Sequence, residues 1–338
     1  MAGALVLCAS GAPARAAFPD GPPNDPLYDA SPLPNATNEQ WDLASPAGGF
    51  DRGISVDRAW PLTTGAGTII ADVDLGVRYD HPDLAGRWAE NPGETGRDAT
   101  GRDRRSNGVD DDRNGYVDDW RGWDTYARDN DATSDTENAH GTNVAGVLGA
   151  AANNGVGIAG IAPGARILAV RSADHILHDG TRLAQAIVYA ADRGASVISM
   201  SLGAASFNSQ LRRAVAYAHH RGAVMAVASG NEFHFHHHYP QVMGDVLAVG
   251  GLNPDSANTT AINGDLASVG ADFTVHASYA DYGPHLDVVA PTQVPTTDWG
   301  GGYIKNWSGT SAATPHVAGV AGLVAARGRA LGLRLSPD

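Results

Sequence analysis

The nine residues SGTSAATPH, from Ser308 to His316, open directly into an apolar run, VAGVAGLVAA (317–326). Small residues crowd Ser311, and the spacing predicts a buried helix that begins beside it. A hydroxyl on that first turn would sit among backbone N–H groups with no intrahelical partner, where the helix dipole favours developing negative charge. Pro315 fits this placement on the expectation that it lies in the first turn, where no intrahelical bond is lost. Taken alone, the segment reads as a core helix capped by Ser and Thr. Asp74, His140 and Asn231, spread over the preceding chain, change that reading.

Outward from this helix, strand-length apolar runs alternate with helical patterns. Runs at 67–73, 166–170, 195–200, 223–228, 246–249 and 286–290 predict strands. Helices are predicted at 140–152, 181–193 and 208–221, with a short one at 54–60. Apolar strands separated by helices predict an α/β fold of three layers, a mainly parallel sheet with helices on both faces. The polar stretch 93–135 predicts a long insertion, and no internal repeat or domain-splitting linker is evident. Gly155 to Gly160 spells GxGxxG, but that dinucleotide fingerprint must follow a strand and open a helix. Here it follows a helix and leads through Pro163 into a strand, which sets nucleotide binding aside.

Of the 338 residues, 43% are apolar and 18% charged, which fits a substantial buried core. A net charge of −14 without a basic patch argues against a nucleic-acid partner. Cys8, the single cysteine, lies in a segment (1–16) that resembles the apolar core of a secretory signal ending in small residues. A basic start is missing, so the true start is expected upstream; bulky Leu7 disfavours a lipoprotein reading of Cys8. Cleavage would leave no cysteine and therefore no disulfide. Residues 17–50, rich in Pro, Asn, Asp and Gly, predict an extended lead-in. No apolar stretch reaches the ~18 residues that a membrane span needs. The expectation is a secreted, extracellular monomer.

Asp74 closes the first predicted strand, at the edge where α/β sheets place reactive groups. His140 heads HGTNVAGVLG and Ser311 heads the last helix. In the order Asp, His, Ser they make a candidate orienter, base and nucleophile. The histidine takes the serine proton, and the aspartate fixes its tautomer and stabilises the imidazolium. Asn231, in VASGNE after a strand, can donate an amide hydrogen bond to an oxyanion.

With these residues in hand, the chain resembles the subtilisin-like serine peptidases from about Asn24 to its end. The resemblance is carried by DLGV (74–77) with HPDL (81–84), HGTNVAG (140–146), SMSLG (199–203), ASGN (228–231) and GTSAATPHVAG (309–319), all in family order. It implies a triad of Asp74, His140 and Ser311, with Asn231 and the Ser311 N–H as oxyanion donors. It implies that Ser201, Leu202 and Gly203 pair with a protein or peptide substrate as an added strand. Ala228, Ser229 and Gly230 would wall the pocket for the residue before the scissile bond, with Glu232 near its rim. Residues 51–338 would form the peptidase domain, ending sooner after Ser311 than is usual and without the family's folding pro-domain.

The chain departs from the family pattern at four places. Leu75 stands where Thr or Ser usually follows the aspartate, and Asn143 replaces a frequent His. Asp72 occupies an apolar site and should share a sheet face with Asp74, so the two carboxylates repel. Ala312 replaces the frequent Met, which removes an oxidisable sulfur beside the nucleophile and leaves Met200, next to the cleft strand, as the expected weak point.

Two cation sites are expected. Asp110, Asp112, Asn114, the Gly115 turn, Tyr116 through its carbonyl and Asp118 match the first nine positions of a calcium loop, with Arg121 where a closing Glu would stand. The resemblance suggests a second structural calcium held by Asp83 and Asn154 side chains and the carbonyls of Ala152, Val156 and Ile158, with Asp25 a further ligand. His234, His236, His237 and His238 read either as a surface run or as zinc ligands. Together these features predict a secreted, calcium-stabilised serine endopeptidase acting through an acyl-enzyme on Ser311. Two alternatives stay open: a processing peptidase or transamidase, in which an amine replaces water, and an inactive binding module of the same fold, prompted by Asp72, Leu75 and the early C-terminus.

Overall fold

The computed structural model describes residues 17–28, 40–43, 53–134, 138–235, 238–253 and 275–337. The signal-like segment 1–16, much of the lead-in, His236 and His237 lie outside the described residues. Twelve strands are described: β1 Ile69–Asp74, β2 Gly122–Asp124, β3 Arg166–Arg171, β4 Leu177–His178, β5 Val197–Met200 and β6 Gly203–Ala204 come first. β7 Val224–Ala228, β8 Leu247–Asn253, β9 Val275–His276, β10 Val288–Pro291, β11 Val294–Thr297 and β12 Tyr303–Trp307 follow. The helices are α1 His140–Gly149, α2 Gly180–Asp192, α3 Ser209–His220 and α4 Thr310–Ala330.

The main sheet runs β10-β8-β7-β5-β1-β3-β2, parallel throughout, with β9 antiparallel on β8. Its strands are apolar in unbroken runs because both faces are covered. In β1, Ala71 and Val73 face Leu183, Ile187, Leu211 and Val215 of α2 and α3, whereas Ile70 faces Val144, Leu148 and Leu323 of α1 and α4. The chain moves from β1 to β3 on one side and then crosses to β5 on the other. β1 therefore lies at the switch in strand order, and its C-terminal end opens into a crevice.

Helix starts follow local chemistry. The Asp179 side chain accepts from Thr181 N at 3.0 Å and that of Asn208 from Gln210 N at 2.7 Å, which caps α2 and α3. Three expectations are corrected. The helix expected at 54–60 is only a 3-10 turn, Val56–Arg58, and the polar insertion contributes a strand, β2, paired with β3. Pro315 lies in the second turn of α4, not the first, so it does withhold a bond from the Ser311 carbonyl. That carbonyl accepts instead from the Ser201 hydroxyl, at 3.0 Å. The lead-in docks as well as extends: Gln40 exchanges two bonds with the Ala159 backbone, and Asp42 meets buried His316 of α4 at 2.9 Å.

Glycines seat α4 on its neighbours. A Cβ on Gly319 would come within 2.7 Å of Ile161 Cγ2 and 2.8 Å of Ile161 Cβ, whereas one on Gly322 would meet chiefly the far end of Ile70, at 2.6 Å. Gly→Ala gains up to about 1 kcal/mol of helix propensity, and overpacking costs about 1–3 kcal/mol. Gly319→Ala, pressing on an atom close to the backbone, is expected to lower stability by about 1–2 kcal/mol. Gly322→Ala, pressing on a tip that can rotate, is expected to stay within about 1 kcal/mol of the parent. Chemical denaturation of the two variants in parallel checks the contrast.

Candidate active site

Asp74 ends β1 and His140 begins α1, and the two meet because the helix lies almost on the strand. A Cβ at Gly141 would fall 2.4 Å from the Gly76 carbonyl oxygen and 3.2 Å from Asp74 Cβ, so only glycine permits this approach. The His140 Nδ1–H then donates to Asp74 Oδ1 over 2.7 Å. The same oxygen accepts from Leu75 N at 2.7 Å, so two donors fix the carboxylate. With its other nitrogen so engaged, Nε2 is the nitrogen that carries the lone pair in the neutral ring. Nε2 is buried and has no hydrogen-bond partner among the described residues. Trp307 packs edge-on to the imidazole at 5.7 Å between centroids.

Ser311 sits in the first turn of α4, where its N–H has no intrahelical acceptor. Its hydroxyl donates to the Ser201 carbonyl at 3.2 Å while Ser201 Oγ donates to the Ser311 carbonyl at 3.0 Å. The hydroxyl thus rests on the β5–β6 segment. Asn231 is aimed by Thr310, whose backbone N (2.9 Å) and Oγ1 (3.1 Å) both donate to Asn231 Oδ1. This assigns the amide orientation and leaves Nδ2 as the free donor. Asn231 Nδ2 and Ser311 N each lie 3.7 Å from the point where a Cβ of Gly309 would sit, so the two donors border one small space.

Comparison with known proteins gives the family. Residues 65–332 match the family model described as the subtilase family. The chain belongs to the subtilase family. It is 37% identical over 277 residues to thermitase from Thermoactinomyces vulgaris, covering 82% of this chain and 81% of that protein. It is 36% identical over 309 residues to a thermophilic serine proteinase from Bacillus sp. (strain AK1), covering 90% of this subtilase and 62% of the relative. An extracellular protease from Xanthomonas campestris pv. campestris is 33% identical over 326 residues, covering 89% and 50%.

The cleft residues are placed less simply than expected for this subtilase. Ser201, Leu202 and Gly203 are buried, and Gly203 N already donates to the Ile176 carbonyl at 2.9 Å, since β4 pairs with β6. A peptide can add a strand at Gly203 only once β4 gives way. Across the cleft, Ala228 ends β7, Ser229 N donates to the Val249 carbonyl at 2.9 Å, and Gly230 holds a φ of +115°. Thr310 and Tyr279 were not singled out from sequence. The Tyr279 hydroxyl accepts from Gly309 N at 3.0 Å and so steadies the turn before the nucleophile. Asn143, in place of His, binds α1 to the β11–β12 hairpin through Nδ2 to the Thr297 carbonyl, 2.6 Å. Met200 is fully buried, not an oxidation weak point; Met243 is the half-buried methionine.

Around the acidic insertion, Glu94, Asp110 and Asp112 present carboxylate oxygens within 4.8 Å of one another. Glu94 was missed from sequence because nothing in its surroundings marks it. It is buried, its Oε1 accepts from Asp111 N and Asp112 N, and its Oε2 has no partner among the described residues. Burial, then the charges of Asp112 and Asp119, raises its carboxyl. Asn114 donates to Asp110 and Asp112 through its backbone and Tyr116 N caps Asn114 Oδ1, so these residues share the loop. Asp118 does not join the group: its carboxylate accepts from Gly108 N. At the second expected site, Asp83 accepts from Asn154 Nδ2 (2.8 Å) and Ile158 N (2.9 Å), and Asp25 accepts from Asn153 N and Asn154 N. Ala152 and Val156 flank Asn154 in the same loop. Burial pushes the Asp83 carboxyl up to about 6, with Asp25 adding to it.

Asp72 shares the α1–α4 face with Asp74 and lies beside Ser199 in the β1–β5 register. It is 1% exposed, and neither of its oxygens, nor Ser199 Oγ, has a hydrogen-bond partner among the described residues. Burial, then the nearby Asp74 charge, raises its carboxyl well above the usual range. A folded-state pKa above the unfolded value means stability that is complete below the unfolded pKa and is lost as pH climbs through the folded one. Asp72→Val is therefore expected to flatten the fall in melting temperature as pH rises above the usual carboxylate range and to raise stability there by about 1–3 kcal/mol. Thermal melts of Ser311→Ala protein with and without Asp72→Val, from about pH 6 to about pH 10, give the comparison.

Proposed function

We propose that this subtilase, a serine endopeptidase, cuts peptide bonds through an acyl-enzyme on Ser311, with His140 as base and Asp74 as its orienter. The observation that carries the reading is the 2.7 Å bond from His140 Nδ1 to a buried Asp74 oxygen, which leaves Nε2 as the proton acceptor. Oγ of Ser311 leaves the Ser201 carbonyl, attacks the substrate carbonyl carbon and passes its proton to Nε2. The oxyanion is held by Asn231 Nδ2 and Ser311 N. The tetrahedral species collapses, and Nε2 returns the proton to the departing amine. Water then repeats the sequence on the ester, with Nε2 again taking the proton, and frees Ser311. Thr310 is a positioning residue here, since it aims Asn231 without touching the substrate. The substrate is a protein or peptide segment entering in extended form between Ser201–Gly203 and Ala228–Gly230.

Ser311→Ala is expected to abolish turnover and labelling by a fluorophosphonate; labelling of the parent chain separates an active enzyme from an inactive binding module. Asn231→Ala is expected to lower kcat by roughly a hundredfold or more with little change in KM. Full turnover in verified Ser311→Ala protein would remove the assignment.

The protein acts outside the cell and takes up structural calcium in this reading. Glu94, Asp110 and Asp112 are the side chains that suit the first ion, and Asp83, with Asp25 and Asn154 beside it, the second. The unpartnered Oε2 of Glu94 supports the first assignment, because converging carboxylates repel without a cation. Bound calcium adds RT ln(1 + [L]/Kd) to stability at each site. Chelation is expected to lower the melting temperature, and Glu94→Gln to shrink that chelator effect. A melting curve indifferent to chelator and to added calcium would refute the assignment.

A further inference from the structure

Beyond the triad and the calcium loops, one cluster combines nitrogen and oxygen donors. Glu232, His238 and Asp281 each offer a ligand atom, and the three atoms lie within 4.8 Å of one another. We propose that these residues bind a transition-metal cation of the zinc class, at the rim of the substrate pocket and one residue from Asn231.

Asp281 is anchored for this role. It is 2% exposed, its Oδ1 accepts from Glu232 N (3.1 Å) and His234 N (2.9 Å), and its own N–H donates to the Gly230 carbonyl (3.0 Å). Its Oδ2 and Glu232 Oε2 converge on Gly230: a Cβ there would stand 2.1 Å from the first and 2.9 Å from the second. His238, 5% exposed, brings Nδ1 to 4.0 Å from the same Glu232 oxygen. Two carboxylates and a buried imidazole so close together are what a divalent cation neutralises.

The donor set selects the cation. Calcium wants six to eight oxygens, whereas one imidazole and two carboxylates plus a water match an open tetrahedral zinc site. Ligand bonds of about 2.1 Å put donor atoms about 3.4 Å apart, so the cluster must tighten by on the order of 1 Å. Glu232, with its side chain 42% exposed, has the freedom to do this. Its Oε2 also accepts from Asn231 N at 3.0 Å, which links the site to the backbone of the oxyanion donor. Occupancy should therefore alter kcat more than KM.

The test uses the full chain carrying Ser311→Ala, stripped of metals and then kept in calcium, so that autolysis is blocked and the oxygen sites are filled. Zinc is titrated calorimetrically, and cobalt(II) is added as a spectroscopic probe. One equivalent of zinc is expected, with a four-coordinate cobalt spectrum in the visible. Affinity should fall by more than about tenfold in His238→Ala and in Asp281→Asn, and should survive joint replacement of His234, His236 and His237 by Ala. Glu232→Gln, at an exposed position, gives the same reading if Asp281→Asn fails to fold. The absence of stoichiometric uptake overturns the proposal. So does uptake that follows the His234, His236 and His237 replacements and not His238. Failure to bind zinc, together with loss of cleavage after Lys and Arg in active Glu232→Gln enzyme, would overturn it in favour of an anionic pocket for basic side chains. The zinc and cobalt readouts use Ser311→Ala protein and so do not depend on Ser311 chemistry; the peptidase reading stands or falls separately from them.

Discussion

The working edge of the molecule depends on how closely α1 lies against the end of β1. Gly141 is pressed onto the Gly76 carbonyl, and Gly146 onto the hydroxyls of Thr296 and Thr297, so the helix is clamped between a strand end and a hairpin with no room for a Cβ at either point. This clamp converts a strand-end carboxylate and a helix-start imidazole into a 2.7 Å pair. A helix set back by the width of one methyl group would leave the imidazole free to turn. The bond would then no longer define which nitrogen accepts a proton.

The same edge stores an unusual amount of unsatisfied polarity. Asp72, Ser199, Asp74 Oδ2 and His140 Nε2 are buried on one face without partners among the described residues. Each such group costs about 1–3 kcal/mol, and the sheet tolerates them because the apolar layers on both faces are continuous. For Nε2 the vacancy has a use, since a proton acceptor must be uncommitted before the nucleophile turns toward it. For Asp72 the structure offers no catalytic contact. The cheapest state for it is the neutral one, which also spares Asp74 a second negative charge two residues away.

Much of this was legible in sequence, and the reason is periodicity. The strands that are buried on both faces read as apolar runs, and the α4 helix announced itself through small residues. Asp74, His140, Asn231 and Ser311 stood at the ends of those elements, where backbone groups are unsatisfied. What escaped was long-range or non-periodic. β2 hides in a polar insertion because it is a three-residue edge strand, and β4 covers β6 although nothing in Leu177–His178 marks a strand. Glu94 and Asp281 act through burial and neighbours far off in the chain, which a local pattern does not carry. In the histidine run, His238 is buried, and among the described residues the donors grouped with it are two carboxylates, those of Glu232 and Asp281.

Pro315 joins these levels. By removing its own N–H it leaves the Ser311 carbonyl without the partner that every other residue of a regular helix would find four positions on. Ser201 fills that vacancy, and Ser311 returns a bond to the Ser201 carbonyl, so the nucleophile and the first residue of the cleft are cross-linked by two hydrogen bonds. A substrate strand that approaches Ser201 competes for the very carbonyl on which the Ser311 hydroxyl rests. In the proposed mechanism a peptide N–H that takes this carbonyl would free the hydroxyl for His140, so that binding and release of the nucleophile would be one event. A break in the hydrogen bonding of the last helix would in that mechanism couple an occupied cleft to an available nucleophile.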